Sequence, residues 1–331
     1  MEDLERLICD LVAIESVNPD LVASGAGEKA IADFVAAWLR DIGCEVTMVE
    51  PVPGRPSVVG IVRGTGGGRS LMLNAHMDTV GAGGMESPFT PSVRDGRVYG
   101  RGAYDMKASL AAIMLAAREV RARKLRGDVI VTAVADEEVA SFGTSAVLEQ
   151  FRADAAIVTE PTELRLCLAH KGFAWLEVES IGVAAHGSRA DLGVDAIAQI
   201  GRVLTGVGEL GSRLAAGPRH PLLGTGSIHC SLIEGGAEMS TYPARCVVRL
   251  ERRTVPGENG ESCVRELADL APAKITLERK SSEVAADHPV AVAVSEAAGN
   301  PEKIGVAYWM DMALLNEAGI PTVAFGPSGG G

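Results

Sequence analysis

The sequence has no Cys-x-x-Cys pair. Its six cysteines, Cys9, Cys44, Cys167, Cys230, Cys246 and Cys263, are scattered, which suggests neither a disulfide framework nor a thiolate zinc knuckle. Free thiols in a reducing compartment are the simpler reading. The chain also lacks an apolar run of the roughly 18 residues that a membrane-crossing helix needs. Its first residues, MEDLERLICDLVAIE, carry acids where a secretory signal would carry bases, so a cytoplasmic location is expected. Cations are scarce: 31 Lys and Arg against 43 Asp and Glu leave a net charge of −12. That is the wrong sign for sequence-independent nucleic-acid binding. It says little about small substrates, because local charge in a cleft can oppose the global sign. There is no internal repeat. The glycine-rich stretches at 64–68 and 81–84 read as loops, and the first precedes a strand, the wrong place for a phosphate-binding loop.

What is present fits a globular α/β protein. The 331 residues, 47% hydrophobic and 22% charged, exceed what one core usually holds, so two domains are expected. Apolar spacing predicts helices over 2–16, 27–42 and 107–124, with Gly43 suited to end the second. Strands are expected at 46–49, 57–62, 70–73, 129–134 and 155–159, the last two as continuous apolar runs buried on both faces. Strands alternating with helices point to a layered α/β domain. Near Gly172 the pattern changes. Residues 173–181 alternate like a half-exposed antiparallel strand. A helix at 194–215 follows, then strands near 226–233 and 243–252, a helix near 259–270 and a strand near 274–280. This β-α-β-β-α-β order is ferredoxin-like. Helix, helix and strand then return at 288–298, 310–318 and 321–325. The expected architecture is a three-layer α/β domain (1–171 and 285–331) with an inserted ferredoxin-like α+β domain (172–284).

Chemistry concentrates where strands end. The run LMLNAHMD places His76 and Asp78 at one strand exit, where open α/β sheets bind ligands. Asp105 precedes a helix in YGRGAYDMKA. Asp136, Glu137 and Glu138 follow a buried strand, and like charges crowded there repel unless a cation offsets them. Glu160 leaves another strand in IVTEP. Singly, each has an ordinary reading: a turn histidine, a helix cap, a polar loop, a solvated acid. Together they form an N/O ligand set without thiolate, suited to Zn²⁺, Co²⁺ or Mn²⁺. A carboxylate bridging two ions and a further, unliganded carboxylate would activate water and accept its proton.

The segments NAHMDTV, YGRGAYDMKASLAA, VADEEVAS, VTEPT, AAHGSRA and GIPTVAFGP resemble, in order, the M20 family of metallohydrolases: acetylornithine deacetylase, succinyl-diaminopimelate desuccinylase, aminoacylase-1 and glutamate carboxypeptidase. The resemblance spans roughly residues 5–330. It implies amide hydrolysis, of an N-acyl amino acid or a small peptide bearing a carboxylate, by a metal-activated water. It implies two Zn²⁺ per subunit, with Co²⁺ as an alternative. His76 and Glu160 would hold one ion, Glu138 the other, and Asp105 both. Glu137 would be the general base and acid, with Asp78 supporting His76. The Asp105–Met106 peptide would be cis. The inserted domain would be lid and dimerisation domain of a homodimer, with His186 stabilising the oxyanion in the partner subunit's site. Arg253 would bind the substrate carboxylate, as a planar guanidinium suits, although Glu251 stands where the family often has Asp. His170, His220, His229 and His288 match no catalytic motif. In the family a glycine-rich turn like 326–331 leads to a further histidine ligand. None of the six histidines here is placed to replace it, so the alternative expectation is an impaired relative that binds small carboxylates or acts as a dimer.

Overall fold

The computed structural model describes residues 2–330; of the sequence expectations, those reaching Met1 and Gly331 lie outside the described residues. Helix α1 (Glu2–Val12) and α2 (Lys29–Asp41) lead into strands β1 (Glu45–Val49), β2 (Ser57–Val62) and β3 (Leu71–His76), and a hairpin of β4 (Ser92–Arg94) and β5 (Arg97–Tyr99). An irregular turn, Ala103–Lys107, precedes α3 (Ala108–Arg123). Then come β6 (Val129–Val134), α4 (Phe142–Gln150), β7 (Ala155–Val158) and β8 (Leu166–His170). The middle of the chain forms β9 (Gly172–Ile181), α5 (Ala196–Ala216), β10 (Ser227–Gly235), β11 (Arg245–Thr254), α6 (Gly260–Leu267) and β12 (Ala273–Arg279). Helices α7 (Pro289–Ala297) and α8 (Met312–Glu317) and strand β13 (Thr322–Ala324) follow. The chain divides into two compact units. The first runs up to Leu168, then Val284–Ile304, then from Met310 onward; the second is Ala169–Glu283 with Gly305–Trp309.

In the first unit the sheet runs β1-β2-β6-β3-β7-β13-β8. The central pairings β6–β3, β3–β7 and β7–β13 are parallel, while β1–β2, β2–β6 and β13–β8 are antiparallel. Strands β2 and β6 are buried along their whole length, because both sheet faces are covered. Alternation divides them. Val58, Val62, Leu73, Ala75, Val129, Val131 and Ala133 pack against the apolar stripes of α1, α2 and α3. Val59, Ile61, Met72, Ile130 and Val134 point to the other face. There α4 lies against β2 and β6, and α8 against β7 and β13. Helix, sheet and helix make three layers.

Two expectations about element ends are corrected. Helix α1 stops at Val12 rather than at 16, because the chain's next hydrogen bonds go to the segment after β3: Thr79 N–H donates to Ser16 O, Asn18 N–H to Thr79 O, and the Ser16 hydroxyl to Met77 O. Strand β3 continues three residues past 73, since Asn74, Ala75 and His76 keep their parallel pairing with β6. Gly43, expected to end α2, takes φ +84° just beyond it, where a Cβ would be strained.

The second unit is a four-stranded antiparallel sheet in the order β10-β11-β9-β12. Helices α5 and α6 cover one face, where Ile200, Val203, Val207 and Leu267 pack on Leu176, Val178, Val248 and Leu250. This is the ferredoxin-like arrangement expected from the element order. Asp195 caps α5 through Ala198 N–H, and Asn259 and Ser262 form a reciprocal cap on α6.

Candidate metal centre

Parallel strands bring their carboxyl ends to one edge, and β6, β3 and β7 are neighbours. His76 is the last residue of β3 and pairs with Val134, the last of β6. Asp136, Glu137 and Glu138 therefore leave β6 beside it. Thr159 N–H donates to Asn74 O, which brings Glu160 to the other side. Asp105 sits in the turn before α3, where the Asp105–Met106 peptide is cis. The Met106 sulfur accepts the His76 N–H at 3.2 Å.

His76 Nε2 lies 3.0 Å from Asp105 Oδ1 and 3.6 Å from Glu160 Oε1. Its Nδ1 donates to the backbone carbonyl of Asp78 at 2.9 Å, with the Asp78 carboxylate 3.6 Å away. A carbonyl can only accept, so this bond places a proton on Nδ1 and aims Nε2 at the acids. Two overlapping groups of donor atoms lie within 4.8 Å of one another: His76 with Glu137 and Glu160, and His76 with Asp105 and Glu138. The Asp78 carboxylate accepts the backbone N–H of Glu137 at 3.1 Å and of Glu138 at 3.2 Å. The structure thus brings together His76, Asp78, Asp105, Glu137, Glu138 and Glu160. His186 and Arg253 belong to the second unit.

The electrostatics call for a cation. Burial, then the charge of their acidic neighbours, pushes the Glu137 and Glu160 carboxyls well above the usual range. Glu138 is pushed up to about 7 by burial first and by Asp105 and Asp78 next. Burial opposes charge on His76, but its hydrogen bond to Asp105 and the charges of Glu160, Asp105 and Asp78 outweigh it and hold the imidazolium well above its ordinary value. One imidazole among convergent carboxylates, all nitrogen and oxygen donors, is the donor set that divalent ions neutralise. The two groups share His76, and the four carboxylates around it supply donors enough for two ions. Asp105, with its side chain 51% exposed, and Glu138 open on a cavity of about 970 Å³, also lined by Arg101, Tyr104, Met85 and Gly329.

Sequence reasoning missed several residues here. Asp311, at the start of α8, reads as a helix cap but makes no cap; its buried carboxylate accepts from the Thr144 hydroxyl, and burial pushes it to about 6. Its charge acts on Glu137 and Glu160. Lys107 is fully buried, donates to Ile14 O at 2.7 Å, and is pushed down to about 7 by burial. Asn18 and Arg55 tie the acid loop from behind. No local pattern marks any of these four, because each acts through a partner distant in sequence.

A family model described as peptidase family M20/M25/M40 matches residues 72–331. The chain belongs to this family. It is similar to the acetylornithine deacetylases of Photorhabdus laumondii (27% identical, covering 97% of this chain and 88% of the relative) and of Salmonella paratyphi B (28%, covering 96% and 87%). In fold it is similar to a tripeptidase of Staphylococcus aureus (TM-score 0.79, 21% identity, covering 98% of this chain and 89% of that one). It is similar also to a dinuclear metal-binding M20 peptidase, the YXEP protein of Bacillus subtilis (TM-score 0.67, 18% identity, covering 98% and 88%). The M20 assignment agrees with the site: His, Asp and Glu clustered for a metal-activated water.

In the second unit His186 is held by its own turn. Its Nδ1 accepts the Ser188 N–H at 3.2 Å and lies 2.9 Å from the Ser188 hydroxyl. Arg253 stacks over Phe173, 4.9 Å from the ring centre, and pairs with Glu251 at 2.7 Å. The other histidines have structural partners; His229 Nε2 lies 3.3 Å from the Ser231 hydroxyl. His220 Nδ1 accepts the N–H groups of Leu222 and Leu223, and its Nε2 meets Glu283. His288 caps α7. His170 is buried edge-on to Trp309.

Proposed function

We propose that this M20-family hydrolase deacylates N-acyl amino acids or cleaves small peptides that carry a free carboxylate. The observation that carries this reading is the convergence of His76, Glu137, Glu138 and Glu160, from three adjacent strand ends, with Asp105, from the turn before α3, beside an open cavity. His76 and Glu160 would hold one divalent ion, Glu138 the other and Asp105 both; zinc suits the set, and cobalt is its alternative. Bound ions supply carbonyl polarisation and a water of lowered pKa. Glu137 takes the proton of that water and returns it to the leaving nitrogen. Asp78 holds Glu137 and Glu138 by their backbone N–H groups.

His186 has its Nδ1 occupied by an N–H donor. Its neutral form therefore carries the proton on Nε2, which donates to the developing oxyanion. Arg253 pairs with the substrate carboxylate, leaving Glu251 to do so. Homodimerisation through the second unit is supported by β10. This edge strand is exposed along most of its length and carries Leu232 and Ile233 outward, and such an edge invites pairing with another chain. Six free thiols support a reducing, cytoplasmic setting.

The test is a hydrolysis screen with added Zn²⁺ or Co²⁺ over N-acetylornithine, N-succinyl-diaminopimelate, other N-acyl amino acids, dipeptides and tripeptides. Metal-dependent release of an amine from at least one class is expected. Metal binding without hydrolysis of any of them would refute the proposal.

A further inference from the structure

We infer that Asn18 is the positioning residue for the Glu137–Glu138 pair, acting as the one amide that ties together the two buried aspartates on either side of it. This rests on the roles proposed above for Glu137 and Glu138. The Asn18 Nδ2 donates to Asp78 Oδ2 at 2.8 Å and to Asp136 Oδ1 at 3.0 Å. Its Oδ1 accepts the Asp20 N–H at 3.0 Å, so every polar group of the side chain is used. All three residues of the bridge are fully buried.

Each aspartate in turn grips the acid loop. Asp78 takes the N–H groups of Glu137 and Glu138. Asp136 precedes them with φ +68°, a left-handed conformation that needs holding in a residue with a Cβ. Its Oδ2 accepts the Ala140 N–H at 3.1 Å, its carbonyl accepts the Ser141 N–H at 2.6 Å, and Arg55 Nη2 stands 3.1 Å from Oδ1. Arg55 is anchored behind by Glu28, at 2.5 and 2.8 Å. Without Asn18, Arg55 would still offset Asp136, but no donor would tie the two buried carboxylates together, and the loop carrying Glu137 would move to part them.

Asparagine is the residue this geometry requires. One nitrogen with two hydrogens serves two carboxylates, serine has one hydrogen to offer, and alanine or aspartate has none. Asn18 touches no reacting atom. Its effect reaches the chemistry through the placement of Glu137 and Glu138, where a shift near 1 Å costs about a hundredfold in rate.

The experiment compares wild type with Asn18→Ala and Asn18→Ser. Amide exchange at Glu137 and Glu138 is followed by NMR in the metal-free protein, Co²⁺ binding by its visible absorption bands, and kcat and KM on the best substrate of the hydrolysis screen. In Asn18→Ala, exchange at the two amides should quicken by about tenfold or more relative to the amides of β6. Its Co²⁺ bands should shift, and kcat should fall by about 10- to 100-fold with KM within about twofold. Asn18→Ser, which keeps one side-chain donor on a shorter arm, should lie between or with the alanine variant. Wild-type exchange and Co²⁺ bands in a folded Asn18→Ala protein would overturn the inference, as would an unchanged kcat. If the alanine variant does not fold, the serine variant decides by the same measurements. A wild type that hydrolyses nothing would count against the proposed function, while exchange and Co²⁺ bands would still judge Asn18.

Discussion

Removing divalent ions and raising the pH from 5 to 8 should destabilise the first unit, and Glu138 should account for a measurable share. Its carboxyl is held at about 7, against 4.5 for an ordinary glutamate, by burial and by the charges of Asp105 and Asp78. A group whose folded pKa is raised favours folding while protonated. That advantage is complete below about 4.5 and is lost as the pH rises through about 7. A difference of roughly 2.5 units at about 1.4 kcal/mol each puts an upper bound of about 3.5 kcal/mol on the loss. For a domain of this size that is at most roughly 7–14 °C in Tm. Glu137, Glu160 and Asp311 are raised in the same sense, as is His76, while Lys107, pushed down to about 7, acts in the opposite sense above that pH, so the pH slope of the wild type is the sum of several groups. Scanning calorimetry on chelator-treated wild type and Glu138→Gln isolates one of them. The variant should lose less Tm between pH 5 and 8 and be the more stable protein at pH 8. Saturating Zn²⁺ should reverse the order there, because the ion stabilises only a site that can hold it. Identical pH slopes in the two metal-free proteins would refute the reasoning.

Glu137→Gln should retain its metal content by elemental analysis yet lower kcat by about 10²–10⁴-fold with little change in KM, as loss of a general base does. Glu160→Ala should lose one bound ion per chain while its metal-free form melts no lower than wild type, since the change removes a repelling carboxylate; full metal content in the variant would contradict the ligand assignment. If His186 serves the partner subunit, mixing inactive His186→Ala with inactive Glu137→Gln should restore part of the activity through hybrid dimers. No recovery under proven subunit exchange would show that it does not act across the interface.

Sequence periodicity alone determined the element types, the ferredoxin-like order of the second unit and the strand exits that carry His76, Glu137, Glu138 and Glu160. These are local properties: burial on both faces makes β6 a continuous apolar run, and a strand must end where charges begin. Helix α4, FGTSAVLEQ, went unread because it presents no clear apolar stripe, and the three-residue strands β4 and β5 are too short to show a period. What only the tertiary structure decided is which distant groups meet. The strand order β6-β3-β7, with the turn before α3, brings three separate acidic segments around one imidazole. The backbone after α1 turns away to pair with Thr79, which carries Asn18, in sequence merely a residue before a proline, between Asp78 and Asp136. Asp311 turns from the helix it begins to the Thr144 hydroxyl. Hydrogen bonds between residues 60 to 167 positions apart leave no periodic trace in the chain, because their partners are chosen by the packing of the sheet and not by spacing along the sequence.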